Sequence, residues 1–290
     1  MKEPYFRIIK KSKRSFARAG ILSTKHGKLK TPFFMPIATI GAVKTLTFED
    51  LEKLRTQIVL VNTYHLMLRP GENLIKKIGG LHEFINWQKP ILTDSGGFQI
   101  FSLAKMRKIT NKGVKFQSHV DGKEYLLTPE KAIKIQQKLS SDIMMVLDEC
   151  VGHPCEHVVA KKAVERTSSW AERSQRFLKF QITNSKSQIN SKFKYQNSKQ
   201  LVFGIIQGST YKDLRLESVK ELVSLNFDGY AIGGLAVGEP QEKMYQVLDW
   251  VCPELPHNKP RYLMGLGKPE QIIEAVRRGV DMFDCVIPTR

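Results

Sequence analysis

The sequence has 290 residues, 41% hydrophobic and 26% charged, which is long and apolar enough to bury a large core. This composition excludes a chain that is disordered throughout, and no apolar run reaches the roughly 18 residues of a membrane-spanning helix. Lys and Arg number 46 against 28 Asp and Glu, a net charge of +18. This excess favours a polyanionic partner such as a nucleic acid, with a generally basic surface as the alternative.

The N-terminal residues MKEPYFRIIKKSKRS contain a charge cluster but no apolar stretch typical of a secretory signal. The four cysteines are too few for a disulfide scaffold at this length. Both observations predict a protein of the reducing cytoplasm.

Eight short apolar segments recur along the chain, each typical of a parallel strand covered on both faces. They are Pro32–Ile37, Ile58–Tyr64, Ile91–Ser95, Asp142–Glu149, Leu201–Gly208, Gly229–Ala236, Arg261–Gly267 and Asp281–Pro288.

Helical patterns lie between most of these segments. Thr47 is a candidate N-cap, Thr128-Pro129 opens an amphipathic helix, and Pro269 opens another that Gly279 ends. Repeated strand–helix alternation predicts an α/β fold, a (β/α)8 TIM barrel, as one catalytic domain over residues 1–290. An open doubly wound sheet is the second choice. Residues 1–31 are assigned to an N-terminal β extension, and the Asn/Ser/Lys-rich residues 179–200 to a flexible surface insertion.

Polar groups fall near the C-terminal ends of several predicted strands, where barrel enzymes build their active sites. Asp94 and Asp284 form a candidate pair of nucleophile and general acid/base, as in retaining glycosidic chemistry. Asp148, Gln207 and the Gly234 backbone offer donors and acceptors to a flat heterocycle, and Phe98 offers a stacking surface. Capping or turn roles are the alternative for each of these residues taken alone.

Two further motifs remain open. The segment from Cys150 through His153 and Cys155 to His157 suggests zinc, but its four ligands crowd eight residues, whereas structural zinc sites join separated pairs. The turn Gly265–Pro269 precedes a helix N-terminus, which suits a phosphate, with an ordinary strand–helix turn as the alternative.

Taken together, the motifs resemble those of bacterial tRNA-guanine transglycosylase, in the queuine tRNA-ribosyltransferase family. The match follows the family's order over nearly the whole chain. The segments that carry it are NTYHLMLRPG from Asn62, LTDSGGFQIFSL from Leu92, DEC from Asp148, FGIIQGS from Phe203, GGLAVGEP from Gly233, YLMGLGKPE from Tyr262 and DMFDCVIPTR from Asp281.

The resemblance implies a TIM barrel that exchanges guanine at wobble position 34 of GUN-anticodon tRNAs for preQ1, 7-aminomethyl-7-deazaguanine, on the route to queuosine. It implies that Asp284 is the nucleophile at ribose C1′ and Asp94 the general acid/base. It assigns the rest of the base pocket to Ser95, Gly96, Gly97, Phe98, Asp148, Gln207, Gly234, the Leu235 carbonyl and Met264. RNA contacts fall on Gly265, Lys268, Gln271, Thr289 and Arg290. The sequence around Leu235 resembles the bacterial branch of the family, which favours preQ1 over preQ0.

No cofactor is expected for the chemistry. The family carries a structural zinc on a CxCxxC-plus-His set after the eighth strand, which is not found in residues 1–290, and the final barrel helix is likewise not in this sequence. We therefore expect a C-terminally incomplete member, with the family's homodimer in question, tRNA and guanine or preQ1 as partners, and no membrane association. The alternatives are a non-catalytic tRNA-binding member of the superfamily and a barrel glycoside hydrolase.

Overall fold

The computed structural model describes residues 4–103, 106–188 and 200–290. Its strands are β1 (Phe6–Lys11), β2 (Arg18–Thr24), β3 (Gly27–Thr31), β4 (Phe33–Met35), β5 (Val59–Val61), β6 (Ile91–Thr93), β7 (Arg107–Thr110), β8 (Gly113–Gln117), β9 (Glu124–Leu127), β10 (Ile143–Met145), β11 (Leu201–Ile206), β12 (Gly229–Ile232), β13 (Arg261–Leu263) and β14 (Met282–Asp284). Its helices are α1 (Phe48–Lys53), α2 (Thr63–Leu68), α3 (Glu72–Ile78), α4 (Leu81–Ile85), α5 (Gly97–Leu103), α6 (Pro129–Leu139), α7 (His157–Gln188), α8 (Lys212–Ser224), α9 (Gln241–Val251) and α10 (Pro269–Arg277).

Eight parallel strands form the central sheet in the spatial order β4-β14-β13-β12-β11-β10-β6-β5. The two outer strands meet through a parallel bridge between Ile37 and Leu60, in which the Leu60 N–H donates to Pro36 over 3.0 Å. The Ala38 N–H donates to the Leu60 carbonyl over 2.7 Å on the same seam. The predicted barrel is therefore confirmed, and the open doubly wound sheet is wrong because both edges are joined.

Each predicted apolar segment contains one barrel strand, although the strands are shorter than the segments. Their residues are buried on both faces, as in β10 and β11, since the barrel interior covers one face and the helices cover the other. Glycine at position 229 lets β12 pack closely against the Phe203 side chain of β11, since a Cβ there would lie 2.4 Å from the Phe203 ring. Asn62, Asp94, Asp148 and Gln207 lie in the connections that follow their strands, whereas Asp284 is the last residue of its strand.

The helix boundaries follow the predicted signals. Thr47 and Asp50 form a reciprocal capping box at the start of α1, and the Thr128 side chain accepts from the Lys131 N–H at the start of α6. Helix α10 begins at Pro269, and Gly279 follows its end with a φ of 94°.

The N-terminal extension forms the antiparallel sheet β1–β2–β3, and its hairpin turn contacts the amino-terminal end of the barrel. There, Asp142 accepts from the His26 N–H over 3.0 Å and from the Ile91 N–H over 2.9 Å. The His26 Nδ1 lies 2.9 Å from the same carboxylate, and His82 Nε2 lies 3.2 Å from it. We call His26, His82 and Asp142 the hairpin clamp, because they tie the extension to the barrel at the end opposite the predicted site.

Two features differ from the predicted organisation. A second antiparallel sheet, β7–β8–β9, lies between β6 and α6, where no strand was predicted. Its strands are short and carry exposed charges, so they lack the buried apolar character used to find the barrel strands. The predicted insertion, residues 179–200, begins inside α7, which continues to Gln188; residues 189–199 lie outside the described residues. Among the described residues, no helix combines the length and hydropathy that crossing a bilayer requires.

Candidate active site

Asp94 follows β6 directly, and its carboxylate is held by the neighbouring strand and helix. The Asn62 amide donates to Oδ2 over 2.5 Å, and the Thr63 N–H, at the start of α2, donates to Oδ1 over 2.8 Å. The Gly96 N–H donates to the same Oδ1 over 3.2 Å. Since Asn62 and Thr63 follow β5, the carboxyl ends of two adjacent strands fix this side chain in one orientation.

Burial raises the pKa of Asp94 to about 6, because desolvation outweighs the hydrogen bonds from Asn62, Thr63, Gln99 and Gly96 that stabilise the charged form. A carboxyl group with a pKa near neutrality can both give and accept a proton at physiological pH. The position therefore suits a general acid/base.

Asp284 is the last residue of β14 and is 7% exposed. The Tyr262 hydroxyl donates to its Oδ1 over 2.5 Å, and the Gly265 N–H donates to the same oxygen over 2.9 Å. Burial raises its pKa, and these two donors oppose the shift. Both of these donors bind Oδ1, so the carboxylate is oriented through one oxygen, which suits the predicted nucleophile.

The three acids share one electrostatic environment. Burial and the charges of Asp284 and Asp94 both raise the pKa of Tyr262, well above its ordinary value. Burial, and to a smaller extent the charge of Asp94, raises the pKa of Asp148 to about 6. Asp94 thus acts on Asp148 and on the tyrosine bound to Asp284, which places the predicted pair and the predicted base reader at the same end of the barrel.

Asp148, beyond β10, contacts the predicted loop after Asp94 and the end of β11. The Ser95 hydroxyl donates to Oδ1 over 3.2 Å, and the Gln207 amide donates to Oδ2 over 2.7 Å. Within the described part of the chain, the Gln207 Oε1 is buried without a hydrogen-bond partner. An unsatisfied acceptor beside a partly buried carboxylate is a site for a ligand with N–H donors, since leaving it unpaired is costly.

The glycine-rich loop after β12 packs against Gln207. A Cβ on Gly234, whose φ is 63°, would lie 2.3 Å from Gln207 Oε1, and one on Gly233 would lie 2.7 Å from Gln207 Nε2. Glycine is required at both positions by close approach, and at Gly234 also by its left-handed backbone.

Glu239 fixes the next part of this loop and was not predicted as a functional residue. Its carboxylate accepts from the Ala236 N–H over 2.5 Å and from the Val237 N–H over 3.0 Å. Because a trans peptide is planar, the Leu235 carbonyl points away from the Ala236 N–H and therefore away from Glu239. The sequence signal that could have identified Glu239 is an acidic residue directly after the glycine-rich segment Gly233–Gly238.

The remaining predicted pocket residues differ in exposure. Gly96 is buried, and a Cβ there would lie 3.3 Å from the Tyr64 nitrogen, whereas Gly97 is half-buried. Phe98 is 49% exposed at the start of α5, and Met264 is half-buried after β13. The two predicted stacking partners are thus both accessible, and their role against a base remains a prediction.

The second small sheet reaches the site through one residue that the sequence analysis missed. His119, in the turn between β8 and β9, lies with its Nδ1 2.8 Å from the Tyr64 hydroxyl and stacks on that ring. Tyr64 follows Thr63, which binds Asp94. The hairpin therefore buttresses the segment that holds Asp94, the predicted general acid/base.

The predicted RNA-contact residues also differ in exposure. Gly265, Lys268 and Arg290 are exposed. Gln271 is half-buried with its amide bonded to Gln241 over 3.1 Å, and Thr289 is 9% exposed in a final 3₁₀ turn. The backbone and cationic groups are accessible to a phosphate, while the Thr289 side chain is not.

The segment that suggested zinc is engaged elsewhere. Cys155 Sγ contacts the Ser209 hydroxyl over 3.3 Å, and His157 Nε2 lies 2.7 Å from Asp213. Burial raises the pKa of the Cys150 thiol to about 12, which keeps it protonated. Among the described residues, Cys150, His153, Cys155 and His157 do not form a common metal-ligand set.

Comparison with known proteins gives one consistent result. The family model described as queuine tRNA-ribosyltransferase matches residues 12–290. Proteins named queuine tRNA-ribosyltransferase are 51% identical in Caldanaerobacter subterraneus and 52% in Thermoanaerobacter pseudethanolicus, each over 98% of this chain and 72% of the relative. One from Listeria monocytogenes is 53% identical over 98% of this chain and 71% of its own length. The chain belongs to the queuine tRNA-ribosyltransferase family.

Proposed function

We propose that this chain is a tRNA-guanine transglycosylase that exchanges guanine at position 34 of GUN-anticodon tRNAs for preQ1, in queuosine biosynthesis. The single observation that carries the proposal is the convergence of Asp94, Asp284 and Asp148 at the carboxyl end of the barrel. The family model covers all three residues, since it matches residues 12–290. The relatives' name, queuine tRNA-ribosyltransferase, supports the reaction class.

In the first half-reaction, an Asp284 carboxylate oxygen attacks ribose C1′. The C1′–N9 bond breaks, its electron pair moves to the guanine, and Asp94 gives its proton to the departing base. The product is a glycosyl ester between Asp284 and the tRNA, together with neutral guanine. The pKa of Asp94, raised to about 6 by burial, supports its role as the acid.

The second half-reaction returns every group to its starting state. The Asp94 carboxylate takes the N9 proton of preQ1, the N9 lone pair attacks C1′, and the ester C1′–O bond breaks with its electrons returning to Asp284. One N-glycosidic bond replaces another, so the balance requires no energy source and no redox partner.

The base is read by groups that bind a planar heterocycle from its edge. The half-satisfied Gln207 amide, the Asp148 carboxyl and the Gly234 backbone supply acceptors and donors. We assign the Leu235 carbonyl, which points away from Glu239, to the aminomethyl group of preQ1. Phe98 and Met264 are the proposed faces of the ring sandwich, with Ser95, Gly96 and Gly97 as the supporting loop.

The tRNA is proposed to present an unstacked wobble base from its anticodon loop, which lets the base reach a barrel mouth at low cost. The net charge of +18 supports a polyanionic partner, and Lys268 with the Gly265 and Arg290 segments is the proposed backbone contact. We place this reaction in the cytoplasm, in keeping with four cysteines that are all free.

The test is incorporation of labelled guanine into an unmodified GUN-anticodon tRNA. We expect incorporation by the wild-type chain and none by Asp284→Asn, with tRNA binding retained. Asp249→Asn, which alters an exposed acid paired with Arg278, is the matched control and should exchange guanine normally. Exchange that survives Asp284→Asn would contradict the proposal.

Filter binding across salt concentrations separates the two alternatives. A glycoside hydrolase of free sugars predicts no tRNA affinity, whereas tRNA binding that weakens steeply with salt supports a tRNA enzyme. A non-catalytic tRNA-binding member predicts binding without guanine exchange in the wild-type chain, and the retained Asp94 and Asp284 oppose it.

A further inference from the structure

Tyr64 and His119 form a stack of two rings at the edge of the candidate active site. Their ring centroids lie 5.5 Å apart with an interplanar angle of 14°, which is the geometry of an offset stack. The hydrogen bond between the Tyr64 hydroxyl and His119 Nδ1, at 2.8 Å, holds the two rings together. Tyr64 is fully buried, whereas His119 is exposed. The stack therefore begins in the core and ends in solvent.

The position of this stack relates it to the base pocket. Tyr64 lies in α2, which begins directly after Asn62 at the carboxyl end of β5. A Cβ on Gly96, in the predicted pocket loop, would lie 3.3 Å from the Tyr64 nitrogen. The hairpin turn that carries His119 therefore stands at the mouth of the barrel, beside the loop proposed to support the exchanged base.

The His119 imidazole has one face that can accept a further ring. Among the described residues, the aromatic rings that contact it are Tyr64, which is nearly parallel, and His65, which is nearly perpendicular at 6.0 Å. Because Tyr64 covers one face of an exposed side chain, the opposite face lies toward solvent. A ring that is already held in place loses little conformational freedom when another ring stacks on it, which favours binding.

The surroundings of this face favour a nucleic acid. Residues 107–127, which form the sheet β7–β8–β9, contain two acidic residues and five basic ones: Arg107, Lys108, Lys112, Lys115 and Lys123. Val120, directly after His119, adds an exposed apolar side chain. Proteins that bind single-stranded nucleic acid combine such features, since bases stack on aromatic side chains while cations contact the phosphates.

A wobble base that enters the barrel mouth must leave its stack, so the nucleotides beside it lose a stacking partner. We propose that the outer face of His119 is a stacking site for an unstacked nucleobase adjacent to the exchanged guanine. The contact replaces the stacking that this neighbour loses, and it thereby lowers the cost of presenting the wobble base. This inference rests on the proposed base exchange and adds a contact to its RNA substrate.

The test is a double-mutant cycle between His119 and the neighbouring nucleotides. Affinity is measured by filter binding with His119 or with His119→Ala, both in an Asp284→Asn background that prevents formation of the ester. The RNAs are an intact GUN-anticodon stem-loop and two versions that are abasic at the nucleotide before or after the exchanged guanine. The two abasic RNAs distinguish which neighbour stacks.

With His119 present, we expect one abasic RNA to bind about 5- to 100-fold more weakly than the intact RNA, as for a base stacked on an aromatic side chain. In His119→Ala, the same abasic change should weaken binding by less than about two-fold. His119→Phe keeps a flat ring and should retain most of this difference. His257→Ala is the matched control, because this exposed histidine precedes β13 at the amino-terminal end of the barrel, and it should leave the cycle unchanged.

The outcomes separate this inference from the proposed function. Equal losses on the abasic RNAs with His119 and with His119→Ala overturn the stacking site, while guanine exchange by the wild-type chain keeps the proposed function. A His119→Phe variant that binds the intact RNA as weakly as His119→Ala also overturns it, because a flat ring is then not sufficient. Absence of exchange into intact tRNA by a folded wild-type chain overturns the proposed function and, with it, the base exchange on which this inference rests.

Discussion

The Tyr262 hydroxyl donates a hydrogen bond of 2.5 Å to the same Asp284 oxygen that accepts from the Gly265 N–H at 2.9 Å. A residue from β13 thus orients the carboxylate at the end of β14. The proposed nucleophile is held by a phenol and a peptide, and both donors favour its charged form against the effect of burial.

Tyr262→Phe should slow formation of the tRNA ester by about 10- to 100-fold, because Asp284 loses one of its two donors and its pKa rises further. Asp284 must be ionised to attack, so the acid limb of the rate profile should move to higher pH. Rapid-quench measurement of guanine release tests both effects. Tyr230→Phe, on the adjacent strand, is the control, since among the described residues its hydroxyl contacts the Val223 carbonyl at 3.5 Å and none of Asp94, Asp148 and Asp284. An unchanged acid limb in Tyr262→Phe would refute this role.

Asn62→Ala should shift the pH dependence of guanine release in the alkaline direction. Asn62 donates to the Asp94 carboxylate and lowers its pKa, so its removal should raise that pKa above about 6, by roughly one unit. Asp94 must be protonated to act as the acid in this step. The rate should therefore fall at a higher pH in the variant, and a shift toward lower pH would contradict the assignment.

Gly234→Ala should impair base recognition more than tRNA binding. The new Cβ would lie 2.3 Å from Gln207 Oε1, and the alanine would have to adopt a φ of 63°, which favours glycine. We expect KM for guanine to rise at least about 10-fold, measured in the exchange assay, with filter binding of tRNA unchanged. Gly152→Ala is the control, because a Cβ there has nothing within 4 Å. Equal guanine KM values for the two variants would exclude the proposed contact.

Asp142→Asn should destabilise the protein without altering the chemistry. This fully buried carboxylate accepts from two backbone N–H groups and contacts two imidazoles, so we expect a loss of about 2 to 3 kcal/mol in the free energy of unfolding. Denaturant titration measures the loss. Asp213→Asn, an exposed acid beside His157, should have no measurable effect. A variant as stable as wild type would show that the hairpin clamp contributes little.

The same clamp gives a pH dependence whose sign follows from two pKa shifts. Burial lowers the pKa of His26 from 6.5. Burial alone would raise the pKa of Asp142, but hydrogen bonds from His82, the Ile91 N–H and His26 outweigh it and lower that pKa from 3.8. As the pH falls, the unfolded chain therefore takes up these protons at a higher pH than the folded chain does. The free energy of unfolding consequently decreases below about pH 6.5 because of His26 and below about pH 3.8 because of Asp142. Asp142→Asn should lose the lower of these two phases.

The barrel and the position of the acids at strand ends were predictable because both leave local signals. Apolar segments of strand length marked the eight strands, and Asp94, Asp148 and Asp284 stood out as acids directly after apolar runs. Tyr262 gave no such signal, since a tyrosine inside an apolar strand resembles an ordinary core residue. Arg215 resembled a surface charge on a helix, and only the packing of α8 against the ends of β11 and β12 buries it. His119 was missed because its role depends on a hairpin that folds back over Tyr64.

The most direct test of the account is a search for the covalent intermediate. The wild-type chain is mixed with a GUN-anticodon tRNA, denatured and separated on a gel, and the adduct is digested for mass spectrometry. The account predicts a tRNA ester on the peptide that contains Asp284, which disappears on addition of guanine and never forms in Asp284→Asn. Guanine exchange without any adduct, or an adduct that maps to Asp94, would contradict it.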